Sequence, residues 1–477
     1  MKKIVPYIFL FSSLFTQAQY MFYGTTGIGG ANNKGTIFSF NPATNTLKVL
    51  FSFNGTDGNQ PGCKLLYASD SLFYGTTDFG GTHNMGVVFS FNWKTNIEAI
   101  VINYDSINGF INQDNELIQA KNGLLYGTSW AGGKHGAGII YSYDIATGKD
   151  SVLYNYDTLT SGIGSYRSLW EDTTTEILYG VTEEGGKYGG GVLNGFNTTT
   201  GKDSAYVSFK ISTPYKPTSS LIHATNGLLY GMSQNGVIPD SGTIYTYDIS
   251  TNTLNTVLQF GGIYGGFPNA NGLLQLSDGM MYGTTWGGGS TINNLGVLFS
   301  FDPTTNTEKI LYSFDDTHGS TPQMTLALDP VNGLLYGTTQ YGGADGYGVL
   351  FSYDITTSTY TKILDFTGPN GACPSATLTL IDTAKSTGIN SINTSAGIKV
   401  YPNPNNGSFT ITLQNINAAC NVEVYNILGE KVYSETLLQS QNNNTITLTG
   451  QPNGVYFYRV LSEADGLVGE GKVVIQK

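Results

Sequence analysis

Charge is what this sequence has least of. Only 12% of its 477 residues are Asp, Glu, Lys or Arg, about half the roughly 25% usual in soluble domains. The balance is acidic, with 34 carboxylates against 22 basic residues and a net charge of −12. Only two of the basic residues are arginines, Arg167 and Arg459. A surface so poor in cations cannot track phosphates, which excludes nucleic acid and anionic lipid as partners. Cysteine is scarce as well. Cys63, Cys373 and Cys420 are too few for a disulfide framework. Cys63 and Cys373 precede what look like equivalent strands, which makes them the one pair to weigh for a bond, but three unbonded thiols are the simpler expectation. Long apolar runs are also missing. The run at 4–15 is shorter than the ~18 residues a spanning helix needs, so no transmembrane segment is expected. Lys2-Lys3 before it and Thr16-Gln17-Ala18 after it give the parts of a secretory signal, with cleavage expected between Ala18 and Gln19.

What the chain has in quantity is a repeated phrase. Tyr-Gly recurs with its tyrosine at Tyr23, Tyr74, Tyr126, Tyr179, Tyr230, Tyr282 and Tyr336, a period of roughly 52 residues that belongs to solenoids, propellers or arrays. The seventh copy reads Gly333-Leu-Leu-Tyr-Gly-Thr-Thr339, then Gly342-Gly343, then Gly348-Val-Leu-Phe-Ser-Tyr-Asp354, then Tyr360-Thr-Lys-Ile-Leu-Asp-Phe366. Each run is short, rich in β-branched and aromatic residues, and bounded by Gly, Asn, Asp or Pro, as strands are. Aromatic-x-aromatic pairs such as Phe38/Phe40 and Phe299/Phe301 place two rings on one face of a strand. The Gly-Gly pairs supply positive φ for a turn. A further strand precedes each Tyr-Gly unit, so the repeat predicts four strands per copy and an all-β, seven-bladed propeller of kelch-like blade length. The first copy lacks its innermost strand, and residues 373–381 repeat the pattern of that strand, so the two ends are expected to close the ring and remove the open sheet edges of a solenoid. Copies four and five depart from the pattern, with Asn194 in place of an aromatic and Met232-Ser-Gln-Asn-Gly236 in place of Thr-Thr and the Gly-Gly turn.

Residues 382–398 read as a polar linker. Beyond it, roughly seven short alternating strands in 399–477 predict a small Ig-like β-sandwich. The motifs Val400-Tyr401-Pro402-Asn403-Pro404, Val424-Tyr-Asn-Ile-Leu-Gly429, Asn453-Gly454-Val-Tyr456 and the terminal Lys472 to Lys477 resemble the C-terminal sorting domain of type IX secretion cargo. That resemblance implies a Bacteroidota-type exporter as partner and a secreted or outer-membrane surface location. The Gly-Leu-Leu-Tyr-Gly-Thr-Thr phrase over 20–381 resembles the tandem GloVer repeats of secreted bacterial proteins, a resemblance that implies no particular reaction. It is less similar to kelch repeats, sharing their di-glycine but not their regular tryptophan. The expected organisation is a signal peptide at 1–18, a propeller at 19–381, a linker at 382–398 and a sorting domain at 399–477.

Candidate ligand residues are those that vary between the Thr-Thr strand and its di-glycine, on the face where the blade connections also lie: Asp78, Phe79, Trp130, Glu183, Glu184, Trp286 and Tyr341. Aromatic rings on a charge-poor rim suit sugar stacking or peptide capture; packing on neighbouring loops explains any one of them equally well. His83 and His135 follow their glycine pairs at matching positions, but a metal needs three or four ligands, and only His318 is at hand as a third nitrogen. No metal or other cofactor is therefore expected. Turns such as Asn54-Gly-Thr-Asp-Gly-Asn59 have oxygens for a weakly held calcium ion and also read as ordinary turns. Glu183 or Glu184 with Asp78 would form the carboxylate pair of a glycosidase, although adjacent strand residues face opposite ways, so only one glutamate can join it. Gly27-Ile-Gly-Gly-Ala31 is followed by no helix and is not a nucleotide loop. The reading favoured is a monomeric, exported binding module for an extracellular glycan or protein, with a polysaccharide hydrolase or lyase, or a purely structural surface protein, as alternatives.

Overall fold

The computed structural model describes residues 20–383 and 397–477, apart from 110–114, 165–167, 211–213, 237–240, 262–264, 269–271, 291–293, 324, 375, 404, 415–419, 427–429, 438–442 and 463–465. The expected cleavage pair Ala18 and Gln19, and also Arg167, Pro404 and Gly429, lie outside the described residues. The chain divides into two compact units, Tyr20–Ile381 and a second that contains Asp382–Lys477.

In the first unit the described strands form seven antiparallel sheets. The second copy is representative: Leu66–Tyr67, Phe73–Thr77, Val87–Asn92 and Ile97–Asn103 lie side by side in chain order. The fifth sheet has an extra short strand, Tyr215–Pro217, paired with the same partner as Ile222–His223. In the first sheet the innermost place is taken by Thr379–Asp382, which pairs with Tyr20–Thr26. Hydrophobic clusters join each sheet to the next. Phe53 and Ile37 pack with Phe89 and Phe91, Tyr104 with Tyr141, and so on around to Phe366 and Tyr336, which pack with Phe22, Phe38 and Phe40 of the first sheet. The arrangement is propeller-like.

The repeated phrase can now be read atom by atom. The asparagine or aspartate four residues before the tyrosine of Tyr-Gly caps its own turn, as Asn122 Oδ1 does for the Leu124 N–H. It also fixes the tyrosine: Asn122 Nδ2 donates to Tyr126 OH at 2.8 Å, Asn226 Nδ2 to Tyr230 OH at 2.8 Å, and Tyr74 OH donates to Asp70 Oδ2 at 2.8 Å. The next glycine lies under a ring. Gly75 is paired with Phe89 across the sheet, and a Cβ there would come within 2.5 Å of that ring; Gly24, Gly127, Gly231, Gly283 and Gly337 stand in the same relation to Phe38, Tyr141, Tyr245, Phe299 and Phe351. The second Thr or Ser of the phrase is buried and closes the following turn through its hydroxyl. Thr77 Oγ1 donates to the Phe79 carbonyl and accepts from the Val87 N–H, and Ser129, Thr285 and Thr339 repeat the contact.

The di-glycine does more than turn the chain. Both members have positive φ, but the first also lies directly against the backbone of the connection arriving from the preceding sheet. A Cβ on Gly29, Gly80, Gly185 or Gly342 would meet a carbonyl of Gly368, Gly55, Thr158 or Asp316 at 2.4–2.5 Å. The second glycine donates its N–H to that same carbonyl at 2.7–3.1 Å in all four cases. Each connection begins with an aromatic, among them Phe53, Tyr104, Phe209 and Phe314, whose N–H bonds the carbonyl of the glycine that opens the third strand and whose ring is buried in the next interface.

The structure moves one expected equivalence. Pro61 and Pro374 occupy matching places, against Gly35 and Gly348 respectively, so Cys63 matches Ala376 and Cys373 matches Gln60. No disulfide links the cysteines. Cys63 Sγ instead accepts the Thr76 N–H at 2.9 Å inside the second sheet.

In the second unit Gly397–Tyr401, Ser408–Gln414 and Asn443–Thr447 form one sheet, and Lys431–Leu437, Cys420–Tyr425, Gly454–Ser462 and Gly466–Ile475 form another. They share a core that includes Phe409, Ile411 and Ile446 from the first and Val422, Val424, Val460 and Val473 from the second.

Two glycines separate the effect of φ from the effect of close approach. Gly80 (φ 88°) has backbone within 2.5 Å of its missing Cβ, and Gly189 (φ 76°) has nothing within 4 Å. Alanine at 189 is expected to cost about 1 kcal/mol for the φ alone. Alanine at 80 should cost at least about 2 kcal/mol more, measured by urea unfolding of the two variants.

Candidate functional site

Beyond the second Thr or Ser, in the copies whose incoming connection is described, the chain runs extended for two residues and pairs with that connection. Asp78 N donates to Gln60 O, and Phe79 and Asn59 exchange both backbone bonds. Trp286 N donates to Phe267 O, Gln340 N to Thr321 O, and Glu183 N to Gly164 O. Two rings of positions result. One consists of Gly27, Asp78, Trp130, Glu183, Gln234, Trp286 and Gln340; facing it on the connections are Cys373, Gln60, Gly164, Phe267 and Thr321. The position shared by Cys373, Gln60, Phe267 and Thr321 is strained. Gln60, Lys216, Phe267, Thr321 and Cys373 each precede a proline and each have positive φ, from 48° to 63°, a region that non-glycine residues avoid.

The candidate residues fall into three groups. Phe79 and Tyr341 belong to the alternate register, together with Glu184, and are exposed. In the Trp286 register, Asp78 is buried, Trp130 half-buried, and Trp286 exposed. Trp130 lies over the next sheet's connection, where a Cβ on Gly164 would meet its Nε1 at 2.5 Å. Glu183 is tied to Lys216, whose Nζ lies 3.6 Å from it and 2.8 Å from Glu184; hydrogen bonding to Glu184 raises the affinity of that ammonium for its proton. Trp286 meets Phe267 ring to ring at 6.0 Å and 90°. The histidines form a third, outer group. His83 and His135 are exposed and lie near Asp105 and Asp157, whose carboxyls are held low chiefly by backbone N–H groups of Asn108 and Leu159. His318 is paired with Asp315 at 2.8 Å. Among the described residues no three His, Cys, Asp or Glu side chains are grouped to hold a metal. In the Asn54–Asn59 turn, Asn54 Oδ1 accepts from Thr56 N, Thr56 Oγ1 and Asp57 N, so that oxygen is engaged by its own loop.

Lys216 and Phe267 escaped the sequence reading. The signal was available in the prolines, since Pro61, Pro217, Pro268, Pro322 and Pro374 recur in five of the seven copies just after the strained position.

Carboxyls with raised proton affinity lie elsewhere. Glu98, Asp203 and Glu308 are each the second residue of an outermost strand, in three different sheets. Burial pushes each up to about 7, with Asp57 adding to the effect on Glu98. The equivalent places in the other four sheets hold Leu47, Leu254, Tyr360 and an exposed aspartate, Asp150.

In the second unit the recognised motifs converge on the chain's end. Asn403 Oδ1 accepts the Val474 N–H at 2.8 Å, and the Asn405 backbone N–H and Nδ2 both donate to Val474 O. Asn453 Oδ1 accepts the Lys477 N–H at 3.0 Å, and Lys477 Nζ donates to Thr449 O and Gln451 O. Gly454 opens the strand that pairs with the last one, Tyr456 is buried with its hydroxyl on Pro452 O, Lys472 lies opposite Phe457 in that pairing, and Tyr401 and Pro402 head the exposed approach to Asn403. Glu423 is held down to about 2 by hydrogen bonds from Tyr425, Lys431 and Arg459.

The family model for the Gloeobacter/Verrucomicrobia repeat matches residues 11–175 and again 164–400. The chain belongs to this repeat family. A second model, the secretion system C-terminal sorting domain, matches 399–476, so this Gloeobacter/Verrucomicrobia repeat protein carries a type IX sorting domain and is exported to the cell surface or beyond. No curated protein matches the chain. Among solved structures it is similar to a candidate 6-phosphogluconolactonase from Bacteroides fragilis, at 15% identity over 77% of this chain and 99% of that one with a TM-score of 0.53. It is also similar to a hypothetical selenium-binding protein from Sulfolobus tokodaii, at 12% identity over 76% and 93% with a TM-score of 0.52. At these identities the likeness is one of fold. Among the described residues no helix is long and apolar enough to cross a membrane.

The three outer-strand acids set a pH dependence. A carboxyl with its pKa raised to about 7 in the fold, against 4.5 for Glu or 3.8 for Asp, holds its proton where the unfolded chain has lost it. The stability it contributes is full below the unfolded value and is lost as pH rises through about 7. The Tm of the repeat unit should therefore fall between pH 5 and pH 8. Replacing all three with Glu98→Gln, Asp203→Asn and Glu308→Gln should flatten the profile and raise the Tm at pH 8 by about 3 °C or more, as read by calorimetry.

Proposed function

We propose that this protein is an extracellular binding module: a seven-bladed, kelch-like β-propeller with an Ig-like sorting domain, made with a cleaved signal peptide in a Bacteroidota cell and working as a monomer on a glycan or protein ligand. The seven sheets joined in a cycle by shared cores support the blade count, and two sheets around one core support the sandwich. The observation that carries the binding reading is the division of labour on the rim. Exposed rings of Phe79, Trp286 and Tyr341 stand there, and the carboxyls whose protons are held to about pH 7 stand on the outer strands. A hydrolase or lyase needs a converging pair of acids with split proton affinities. Asp78 is buried and Glu183 is engaged by Lys216, which counts against that alternative.

The test is a retention screen of the full exported chain on immobilised glycans and peptides, read for bound protein and for released product. Retention without product is expected. If nothing is retained and nothing is cleaved, the structural surface protein becomes the better reading.

A further inference from the structure

Blade six differs from its siblings where the two rings of rim positions meet. In the third sheet Trp130 is seated over Gly164; in the fourth Glu183 is engaged by Lys216; in the second Asp78 is buried. In the sixth, both facing positions are aromatic. Trp286 is 38% exposed, and its one ring partner among the described residues, Phe267, stands perpendicular to it, so at least one indole face has no second ring stacked on it. The described residues on either side of the two rings are Gly265, Gly266, Gly287, Gly288 and Gly289, whose backbones pack together, with Gly288 so close that a Cβ would meet Gly265 Cα at 2.4 Å. Gly266 and Gly287 bridge the two segments. None of these described residues has an ionisable side chain.

The backbone under this pair is strained. Phe267 has φ 48° and precedes Pro268, as Gln60, Lys216, Thr321 and Cys373 do at the same place in other copies; what is particular to the sixth sheet is a bulky aromatic at a φ that such residues avoid. An aromatic at the strained position braces an exposed indole, and a glycine there would fold at lower cost.

We infer that Trp286, braced by Phe267 on this glycine shelf, is a stacking subsite for a neutral sugar ring. The inference rests on the binding reading above and narrows its ligand to an uncharged glycan. An exposed indole presents an apolar plane that matches the C–H face of a pyranose, whose hydroxyls remain at the wet edge. The absence of charge across the shelf offers nothing to the carboxylates of a polyuronate. Proline-rich peptides dock in grooves between aromatic walls, and two rings set perpendicular to one another are not a pair of facing walls.

The experiment is affinity electrophoresis of the full exported chain through gels containing soluble β-1,3-glucan, xylan, mannan or starch, with alginate and polygalacturonate as charged comparators and a proline-rich peptide assayed in solution. Retardation by at least one neutral glycan is expected, weakened at least tenfold in Trp286→Ala. Phe267→Gly should weaken it too and at the same time raise the Tm, since glycine relieves the strained φ; this separates loss of binding from loss of folding. Retardation by a neutral glycan that Trp286→Ala leaves unchanged overturns the subsite and spares the binding reading. Binding of polyuronates or of the proline-rich peptide alone overturns the neutral-sugar assignment. Binding to none of them, with none in the wider retention screen, overturns both.

Discussion

The repeat unit depends on places where backbone meets backbone with no side chain between them. At Gly29, Gly80, Gly185 and Gly342 the carbonyl of the arriving connection occupies the space a Cβ would need, and the neighbouring glycine's N–H satisfies that carbonyl. A buried or crowded carbonyl left without a donor costs about as much as a lost hydrogen bond, so the two glycines act as one device. The first permits the approach and the second bonds it. The aromatic that starts each connection can then reach the interface with the following sheet. Local turn chemistry and sheet-to-sheet packing are thus the same contact seen from two sides.

That device sets what can vary. The Tyr-Gly glycine is fixed by the ring above it, the second Thr by its turn, and the di-glycine by the connection. What the two residues between Thr and di-glycine share from copy to copy is backbone pairing with the connection on one edge, while their side chains meet different partners, Trp130 over Gly164 and Glu183 on Lys216. Their side chains are accordingly free to differ, and they do: Asp, Trp, Glu and Gln in one register and Phe, Tyr and Glu in the other. The fifth sheet, which lost the di-glycine at Asn235-Gly236, is also the sheet with an additional paired strand, Tyr215–Pro217.

Much of this was legible in the sequence, because the period, the alternation in aromatic-x-aromatic strands and the positive-φ glycines are local signals. The closing strand was legible for the same reason, as a pattern found at the wrong end of the chain. What was not legible depends on register between segments far apart. Cys63 and Cys373 looked equivalent until Pro61 and Pro374 fixed the alignment. The rim residues looked like one set until pairing with the connection divided Phe79 and Tyr341 from Asp78 and Trp286. Lys216 engages Glu183 and Glu184 across 32 or 33 positions, and nothing in the spacing of charges announces it. In the sorting domain the motif asparagines were recognisable, but that Asn403, Asn405 and Asn453 all serve the last strand became visible only with the fold.

The first and last sheets meet through the same glycine contact that joins the first sheet to the second, the third to the fourth and the sixth to the seventh. Hydrogen exchange at the four amides that make this contact tests it directly, because Gly30 belongs to the closing pair while Gly81, Gly186 and Gly343 are internal. Gly30 is expected to exchange as slowly as the other three, opening only when the repeat unit unfolds as a whole. Fast exchange at Gly30 with the other three protected would contradict it, since the first and last sheets would then meet without the bond that defines the rest.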